Sequence, residues 1–412
     1  MSLSLEGAGA ILLPPEPGLR FLRHDRASAL RLEPGSVSID DGRIEAIEPD
    51  ASAGVRFDAS GCTVVPGLVD CHTHLPFVGW RAVEYAAKVS GASYEELARS
   101  GSGIAASARA LREATDEEVL TQARGLADEM LRHGTTTFEC KSGYGLTREA
   151  EIRLLNLAME LGELIPQSIT STALLAHAVP AGLTAGEWME TVGEMVPELA
   201  AETDVSALDI YVESIAFDND ALLRMGELAE ENGLALRAHV EQFACHRSIR
   251  PALEANARSV DHLACIHPDD LAPLAESECA AVFLPGAEFL GAEEKAPARE
   301  LADAGAICVL ATDANPGTSP VVSLPLIAGL AVRMYGWTPL EALLALTLNA
   351  AYTLDLSDEI GTIEPGKRAD LVVLDGPVEH MPYRFGHNPV VAVIVDGHLA
   401  WVRDDAAERM IR

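Results

Sequence analysis

The stretch Val65-Pro66-Gly67-Leu68-Val69-Asp70-Cys71-His72-Thr73-His74 decides how the rest of the chain is interpreted. An apolar run, typical of a buried β-strand, ends in two histidines one residue apart. Side chains two residues apart in an extended strand share a face, so His72 and His74 should point the same way. Convergent imidazoles at a strand end suit a transition metal, although a His-x-His pair can also lie in an ordinary loop.

The middle of the chain alternates between short apolar strands and helical patterns. Eight strands are predicted, near residues 64–70, 135–140, 168–176, 207–212, 234–239, 258–262, 280–284 and 307–312. The clearest helix begins at a capping box formed by Thr115 and Glu118 and ends at His133-Gly134. Repeated strand–helix alternation predicts an α/β fold, a parallel (β/α)8 TIM-type barrel, with a doubly wound open sheet as the alternative.

Both ends of the chain show β-hairpin patterns. Four strand patterns lie near the two ends, at residues 36–40, 43–47, 369–376 and 390–397. The first two flank Asp41-Gly42, and Asp-Gly between alternating apolar residues is a strong hairpin signal. We therefore expect a small β-sandwich domain formed by both termini. The expected segments are residues 1–61 and 358–412 for this domain and residues 62–357 for the barrel.

The amino-acid composition indicates which classes of partner and which cellular location are expected. The 63 acidic residues against 30 basic ones give a net charge of −33, which opposes binding to nucleic acid or to an anionic membrane surface. No apolar stretch is long enough to span a membrane, and the N-terminus lacks a signal-peptide pattern, so a cytoplasmic protein is expected. Seven scattered cysteines without a Cys-x-x-Cys pair predict reduced thiols.

Polar residues follow four predicted strands at their carboxyl ends, where a barrel of this kind has its active site. His72 and His74 follow the first strand, His239 ends the fifth, His262 ends the sixth and Asp313 follows the eighth. Taken singly, each histidine could be structural and Asp313 could initiate a turn. Imidazole and carboxylate together favour zinc, iron or manganese over calcium. The joint pattern therefore predicts a metal site.

Three further polar residues are expected at the same end of the barrel. Arg81 follows the first strand, Tyr144 the second and His177 the third. An arginine, a tyrosine and a histidine that face a metal can hold the carboxylate of a substrate. Without the metal site, each would be interpreted as an ordinary surface or structural residue.

Several stretches resemble the amidohydrolase superfamily. The segment from Pro66 to His74 resembles its opening signature. Further matching stretches are Gly134-Thr135-Thr136-Thr137, Lys141-Ser142-Gly143-Tyr144-Gly145-Leu146, Ala176-His177-Ala178-Val179-Pro180, Thr312-Asp313-Ala314-Asn315-Pro316-Gly317-Thr318-Ser319-Pro320 and Tyr383-Arg384-Phe385-Gly386. The resemblance covers nearly the whole chain, and it implies a barrel flanked by a small β-sandwich.

The resemblance also implies a cofactor and a set of contacts. It implies one zinc or iron ion held by the residues that match His72, His74, His239 and Asp313. It implies substrate contacts at Arg81, Tyr144, His177, Gln242, Asn315, Gly317 and Thr318. His262 matches a catalytic histidine beside the metal.

Two departures from the family pattern bear on this assignment. Some members carry Glu where this chain has Gln242. Because Gln cannot transfer a proton, Glu241 or Asp313 is expected to take that role. The stretch Phe243-Ala244-Cys245-His246-Arg247-Ser248 also differs from the usual pattern, which affects the expected shape of the substrate pocket.

The activity that the resemblance implies is metal-dependent hydrolysis of the ring amide of 4-imidazolone-5-propanoate to N-formimidoyl-L-glutamate. Asp313 would move the proton and His262 would polarise the carbonyl. The alternatives are a related amidohydrolase acting on another small acidic cyclic amide or heterocycle, and a non-catalytic metal-binding or scaffold protein. The expected partner is a small-molecule substrate. The oligomeric state stays open, with a homodimer as the assembly considered.

Overall fold

Two sheets organise the chain in the computed structural model, which describes residues 2–48, 54–91, 101–291 and 294–411. The strands are β1 Leu3–Leu13, β2 Arg31–Asp40, β3 Arg43–Glu48, β4 Val55–Asp58, β5 Thr63–Pro66, β6 Leu68–Asp70, β7 Thr135–Lys141, β8 Ser168–Ala176, β9 Val205–Tyr211, β10 Ala235–Val240, β11 Ser259–His262, β12 Ala280–Phe283, β13 Ile307–Leu310, β14 Leu371–Leu374, β15 Val390–Val395, β16 His398–Val402 and β17 Met410–Ile411.

Strands β6 to β13 form the barrel. Each pairs in parallel with the next one along the chain. Just beyond β6 and β13, the Asp313 N–H donates to the His72 carbonyl oxygen at 3.0 Å, and the His74 N–H donates to the Ala314 carbonyl oxygen at 2.9 Å. The predicted (β/α)8 barrel is therefore confirmed. The doubly wound alternative is wrong, because the strands follow their chain order and the two edges meet.

Helices occupy the connections between the barrel strands, and further helices follow the last barrel strand. The α-helices are Ala82–Val89, Ile104–Glu113, Asp116–Arg132, Arg148–Leu164, Ala185–Glu202, Asn219–Glu231, Ile249–Glu254, Leu271–Glu276, Pro285–Gly291, Ala298–Asp303, Leu324–Tyr335, Pro339–Leu346, Leu348–Thr353 and His380–Tyr383. The predicted capping box is present, because the Glu118 N–H donates to Thr115 Oγ1 and the Glu118 carboxylate accepts from the Thr115 N–H. Over the described ranges, no helix is both long and apolar enough to cross a membrane.

The two termini build a second sheet of nine strands. Its order is β16-β15-β14-β5-β1-β2-β3, with β4 beside β1 and β17 beside β4. Asp41 and Gly42 have φ angles of 47° and 76° and join β2 to β3, as the Asp-Gly pattern predicted. Leu5 from the first segment packs in the same core as Leu371 and Ile394 from the last. The small β domain formed by both termini is therefore confirmed.

The chain passes from the terminal sheet to the barrel at Gly67. β5 pairs with β14 and β1, whereas β6 pairs with β7. The single strand predicted over residues 64–70 is therefore wrong. A continuous apolar run does not reveal where the chain changes sheets, because both strands are buried. The domain boundaries at residues 61 and 357 stay predictions, although this pairing extends the terminal sheet to Pro66.

The close passage at Gly67 generates a stability prediction. A Cβ at residue 67 would lie 2.1 Å from Thr136 Oγ1 on β7. We expect Gly67→Ala to destabilise the fold by about 1–3 kcal/mol, the usual cost of overpacking, and to lower the thermal midpoint. The matched control is Gly125→Ala on an exposed helix face, where nothing lies within 4 Å. The control should be neutral or stabilising, and a fully stable Gly67→Ala variant would contradict the close passage.

Candidate active site

Imidazoles and a carboxylate converge at the carboxyl end of the barrel. Two overlapping sets have ligand atoms within 4.8 Å of one another: His72, His239 and His262, and His72, His74 and Asp313. All five side chains are buried. Asp313 Oδ1 lies 3.6 Å from His72 Nε2 and 3.2 Å from His74 Nε2. The structure thus brings the four predicted ligands together, with His262 alongside them.

Two aspartates determine which nitrogen of the imidazoles faces the centre. His72 Nδ1 lies 2.6 Å from Asp261 Oδ2, and His239 Nδ1 lies 3.1 Å from Asp209 Oδ1. An ionised carboxylate only accepts, so each Nδ1 carries a proton, and in the neutral ring Nε2 presents its lone pair. Neither Nε2 has a hydrogen-bond partner in the described part of the protein. Buried, unsatisfied lone pairs backed by carboxylates fit a transition-metal ion.

Burial favours the neutral form of three imidazoles in the cluster, whereas at His239 the charge of Asp209 outweighs burial and raises the pKa above its usual value. Desolvation lowers the pKa of His262 to about 3 and holds the pKa values of His72 and His74 well below the usual range. These imidazoles are therefore neutral at pH 7, with lone pairs free to bind a cation. Burial raises the pKa of Asp313 above its usual value, although the neighbouring His262 and His239 oppose this shift.

The backbone at three strand ends lies in the left-handed region that residues other than glycine rarely adopt. Glu241, His262, Leu263 and Asp313 have φ angles of 55°, 80°, 65° and 54°. Such conformations cost free energy and persist only where the surrounding structure holds them, and they cluster at active sites. They are a second indication, independent of the ligand atoms, that this end of the barrel is functional.

A pocket adjoins the cluster and contains most of the predicted substrate contacts. It is lined by His74, Arg81, Ile104, Tyr144, His177, Tyr211, His239, Gln242, His262, Asp313, Asn315 and Thr318. Six of the seven predicted contacts are among these residues, and Gly317 is the exception. The arrangement combines a cluster that could hold a metal ion with polar groups that can orient a small polar molecule.

Gly317 affects the pocket through Arg81. A Cβ at residue 317 would lie 1.8 Å from the Arg81 guanidinium, so only glycine leaves room for it. The Arg81 N–H donates to the Pro316 carbonyl oxygen at 2.8 Å, which ties the two loops together. The guanidinium also contacts Glu84 at 3.1 Å and the Ser107 hydroxyl at 2.9 Å. These contacts hold the cation at the edge of the pocket.

The side chain of Asn315 is engaged within its own turn. Its Oδ1 accepts from the N–H groups of Gly317 at 2.8 Å and Thr318 at 2.7 Å, and its Nδ2 donates to Thr318 Oγ1 at 2.8 Å. Asn315 therefore shapes the turn after Asp313, and its predicted substrate contact would compete with these bonds.

Glu241 is not brought into the cluster. Its buried carboxylate accepts hydrogen bonds from the Ser248 N–H at 2.6 Å and the His246 N–H at 3.0 Å. The side chain thus holds the loop of residues 242–248, and it is absent from the lining of the pocket. We therefore do not assign proton transfer to Glu241, which leaves Asp313 as the candidate for that role.

No role was predicted from the sequence for Asp209, Asp261 or Lys141. Each is fully or almost fully buried at or near a barrel strand end. The sequence did contain a signal for such residues, namely a single charged residue within an apolar strand, such as Asp209 in β9. A charged residue of this kind must find a partner when it is buried. The partner itself depends on strand order and register, which the sequence does not show.

Comparison with known proteins identifies the family. A sequence model of the amidohydrolase family matches residues 63–400. The chain therefore belongs to the amidohydrolase family, a family of metal-dependent hydrolases.

Curated relatives show which members of the amidohydrolase family this chain resembles. An imidazolonepropionase of Rubrobacter xylanophilus is 42% identical over 379 residues, which cover 89% of this chain and 91% of the relative. Imidazolonepropionases of Paracoccus denitrificans and Herpetosiphon aurantiacus are 40% and 38% identical, covering 89% and 95% of this chain and 94% and 95% of the relatives.

Solved structures share the fold at low sequence identity. A Xaa-Pro dipeptidase with methionine in its active site is 17% identical with a TM-score of 0.71, covering 98% of this chain and 100% of the other. An adenosine deaminase of Xanthomonas campestris with bound zinc is 18% identical with a TM-score of 0.69, covering 99% and 97%. At this identity the likeness establishes the fold alone.

The cluster generates a prediction about metal content. We expect the purified protein to hold about one zinc or iron ion per chain, and His239→Ala to reduce that content to roughly a tenth or less because one of four ligands is lost. Plasma mass spectrometry measures both the content and the identity of the metal. His398→Ala, an exposed histidine of the terminal sheet, is the control. Unchanged metal in His239→Ala would place the ion elsewhere.

Proposed function

We propose that this protein hydrolyses the ring amide of 4-imidazolone-5-propanoate to N-formimidoyl-L-glutamate, a step of histidine degradation. The relatives named imidazolonepropionase support this substrate. The observation that carries the proposal is the pocket, in which the imidazole–carboxylate cluster and the Arg81 guanidinium line one cavity. A substrate with one scissile amide and one carboxylate matches this pair of features.

We propose that His72, His74, His239 and Asp313 hold a zinc or iron ion. The chemistry that such an ion supplies when bound is a coordinated water whose pKa falls towards ~7. In the net reaction, one water adds across the amide, the bond between ring carbonyl carbon and nitrogen breaks, and the carbonyl carbon becomes a carboxylate carbon.

Asp313 is suited to move the proton in this reaction. It lies among the proposed ligands, and its Oδ2 faces the Thr318 hydroxyl at 3.5 Å. Because burial raises its pKa, Asp313 can accept the proton of the attacking water and pass it to the leaving nitrogen. General acid–base transfer of this kind contributes roughly 10²–10⁴-fold to the rate.

His262 is suited to donate a hydrogen bond to the ring carbonyl oxygen of the substrate. Burial keeps its imidazole neutral, with a pKa of about 3, so it can donate one N–H without carrying a charge. A donor directed at an oxygen that gains negative charge stabilises the transition state more than the ground state. His262 therefore polarises the ring carbonyl in the proposed mechanism.

We assign the polar groups of the pocket to two different parts of the substrate, its ring and its propanoate. His177 Nδ1 contacts the Gly143 carbonyl oxygen at 3.0 Å, so Nδ1 carries the proton and Nε2 accepts. An accepting nitrogen suits a ring N–H of the substrate and not its propanoate. We therefore assign the propanoate to Arg81 and Tyr144, which revises the carboxylate contact expected of His177.

A direct assay tests the proposed reaction. Ultraviolet absorbance should fall when the metal-loaded protein is mixed with 4-imidazolone-5-propanoate, because the conjugated ring opens. Chelator should abolish this loss, and added zinc or iron(II) should restore it. No loss with metal-loaded protein would contradict the substrate. Turnover of another small acidic cyclic amide or heterocycle would then favour the related-hydrolase alternative.

Gly317→Ala tests the proposed carboxylate contact. The added Cβ displaces the Arg81 guanidinium, and losing a hydrogen bond to a charged group at about 1.5–3 kcal/mol should raise KM roughly 10- to 100-fold. Metal content should stay at the parent level. Gly186→Ala, in a helix where nothing lies within 4 Å of the new methyl group, is the control. An unchanged KM for Gly317→Ala would remove Arg81 from the contact.

Two expectations from the sequence stay predictions, the homodimer and the cytoplasmic location. Analytical ultracentrifugation of the metal-loaded protein measures the first.

A further inference from the structure

We propose that Lys141 is a positioning residue that holds the two halves of the ligand cluster in place relative to each other. The proposal rests on the metal site proposed above. Lys141 ends β7, and its side chain is completely buried in the barrel. Its Nζ lies 2.6 Å from Asp209 Oδ2 and 2.9 Å from Glu139 Oε2.

The side chain of Lys141 reaches one half of the cluster through Asp209. The two oxygens of this carboxylate have different partners, Lys141 Nζ on Oδ2 and His239 Nδ1 on Oδ1. The carboxylate cannot rotate without losing one of these contacts. Lys141 therefore fixes the group that sets the orientation of the His239 ring.

The main chain of Lys141 reaches the other half of the cluster. Its N–H donates to the carbonyl oxygen of Thr73, the residue between His72 and His74, at 3.0 Å. The Thr73 hydroxyl in turn donates to the Glu139 carbonyl oxygen on the same strand, at 2.5 Å. One strand end is thus bonded both to the His-x-His segment and, through Asp209, to His239.

A purely stabilising role does not account for this arrangement. Burying charges costs several kcal/mol per ion, and an apolar pair of similar volume often folds as well. The barrel contains a second buried cation, Arg237, which shares Glu139 with Lys141. Arg237 donates to Glu139, to Thr172 and to the Thr353 carbonyl oxygen, whereas Lys141 contacts Asp209. Arg237 therefore provides a control inside the same barrel.

The experiment compares two single variants. Lys141→Met removes a buried positive charge from Glu139 and from Asp209, the partner of His239. Arg237→Met removes a buried positive charge from Glu139 and leaves Lys141 and Asp209 in place. For each, the zinc dissociation constant is measured by chelator competition and the thermal midpoint is measured on the metal-free protein. We expect the first variant to bind zinc roughly 10- to 100-fold more weakly and the second to stay near the parent value.

The outcomes separate positioning from stability. Equal zinc affinities in the two variants would overturn the proposal, even if both midpoints fall. If Lys141→Met does not fold, Lys141→Arg replaces it, because it keeps the positive charge but moves the donor away from the position of Nζ. Parent-like zinc affinity in Lys141→Arg would overturn the proposal. Zinc affinity needs no turnover, so a failure of the proposed reaction is distinguishable from a failure of this inference.

Discussion

The hydrogen bonds that close the barrel are the interaction on which the active site depends. The bonds from Asp313 to His72 and from His74 to Ala314 join the first and last barrel strands at their carboxyl ends. Asp70 strengthens this seam, since its two oxygens accept from the N–H and the hydroxyl of Thr312 at 3.0 and 2.6 Å. The same seam places the Asp313 carboxylate beside the imidazoles of His72 and His74. The hydrogen bonds that close the barrel therefore also bring these site residues together.

The environment of each buried aspartate determines its charge state. Burial alone would raise the pKa of Asp209, but His239 and Lys141 outweigh it and bring the pKa below the usual value. At Asp261 the balance is the opposite, because burial raises its pKa above the usual value although Lys141 and His239 oppose the shift. The two carboxylates that support the imidazoles are thus electrostatically different, because only one of them lies directly against the Lys141 ammonium.

Several residues that were expected to act on the substrate make contacts that shape the pocket. Glu241 holds a loop by its backbone, Asn315 forms the turn after Asp313, and Gly317 leaves room for Arg81. A rigid loop keeps a reacting group at a useful distance, so these contacts matter for the positions of other groups. Residue type alone does not distinguish these two roles.

The sequence by itself determined the eight barrel strands, the terminal hairpin and the group of imidazoles and a carboxylate at strand ends. These follow from local rules, since apolar runs predict strands and parallel strands of a barrel end on one face. Only the tertiary structure decided that the chain changes sheets at Gly67, that Glu241 faces its own loop, and that Asp209 links Lys141 to His239. These features depend on register and side-chain direction between segments far apart in sequence, which no local pattern records.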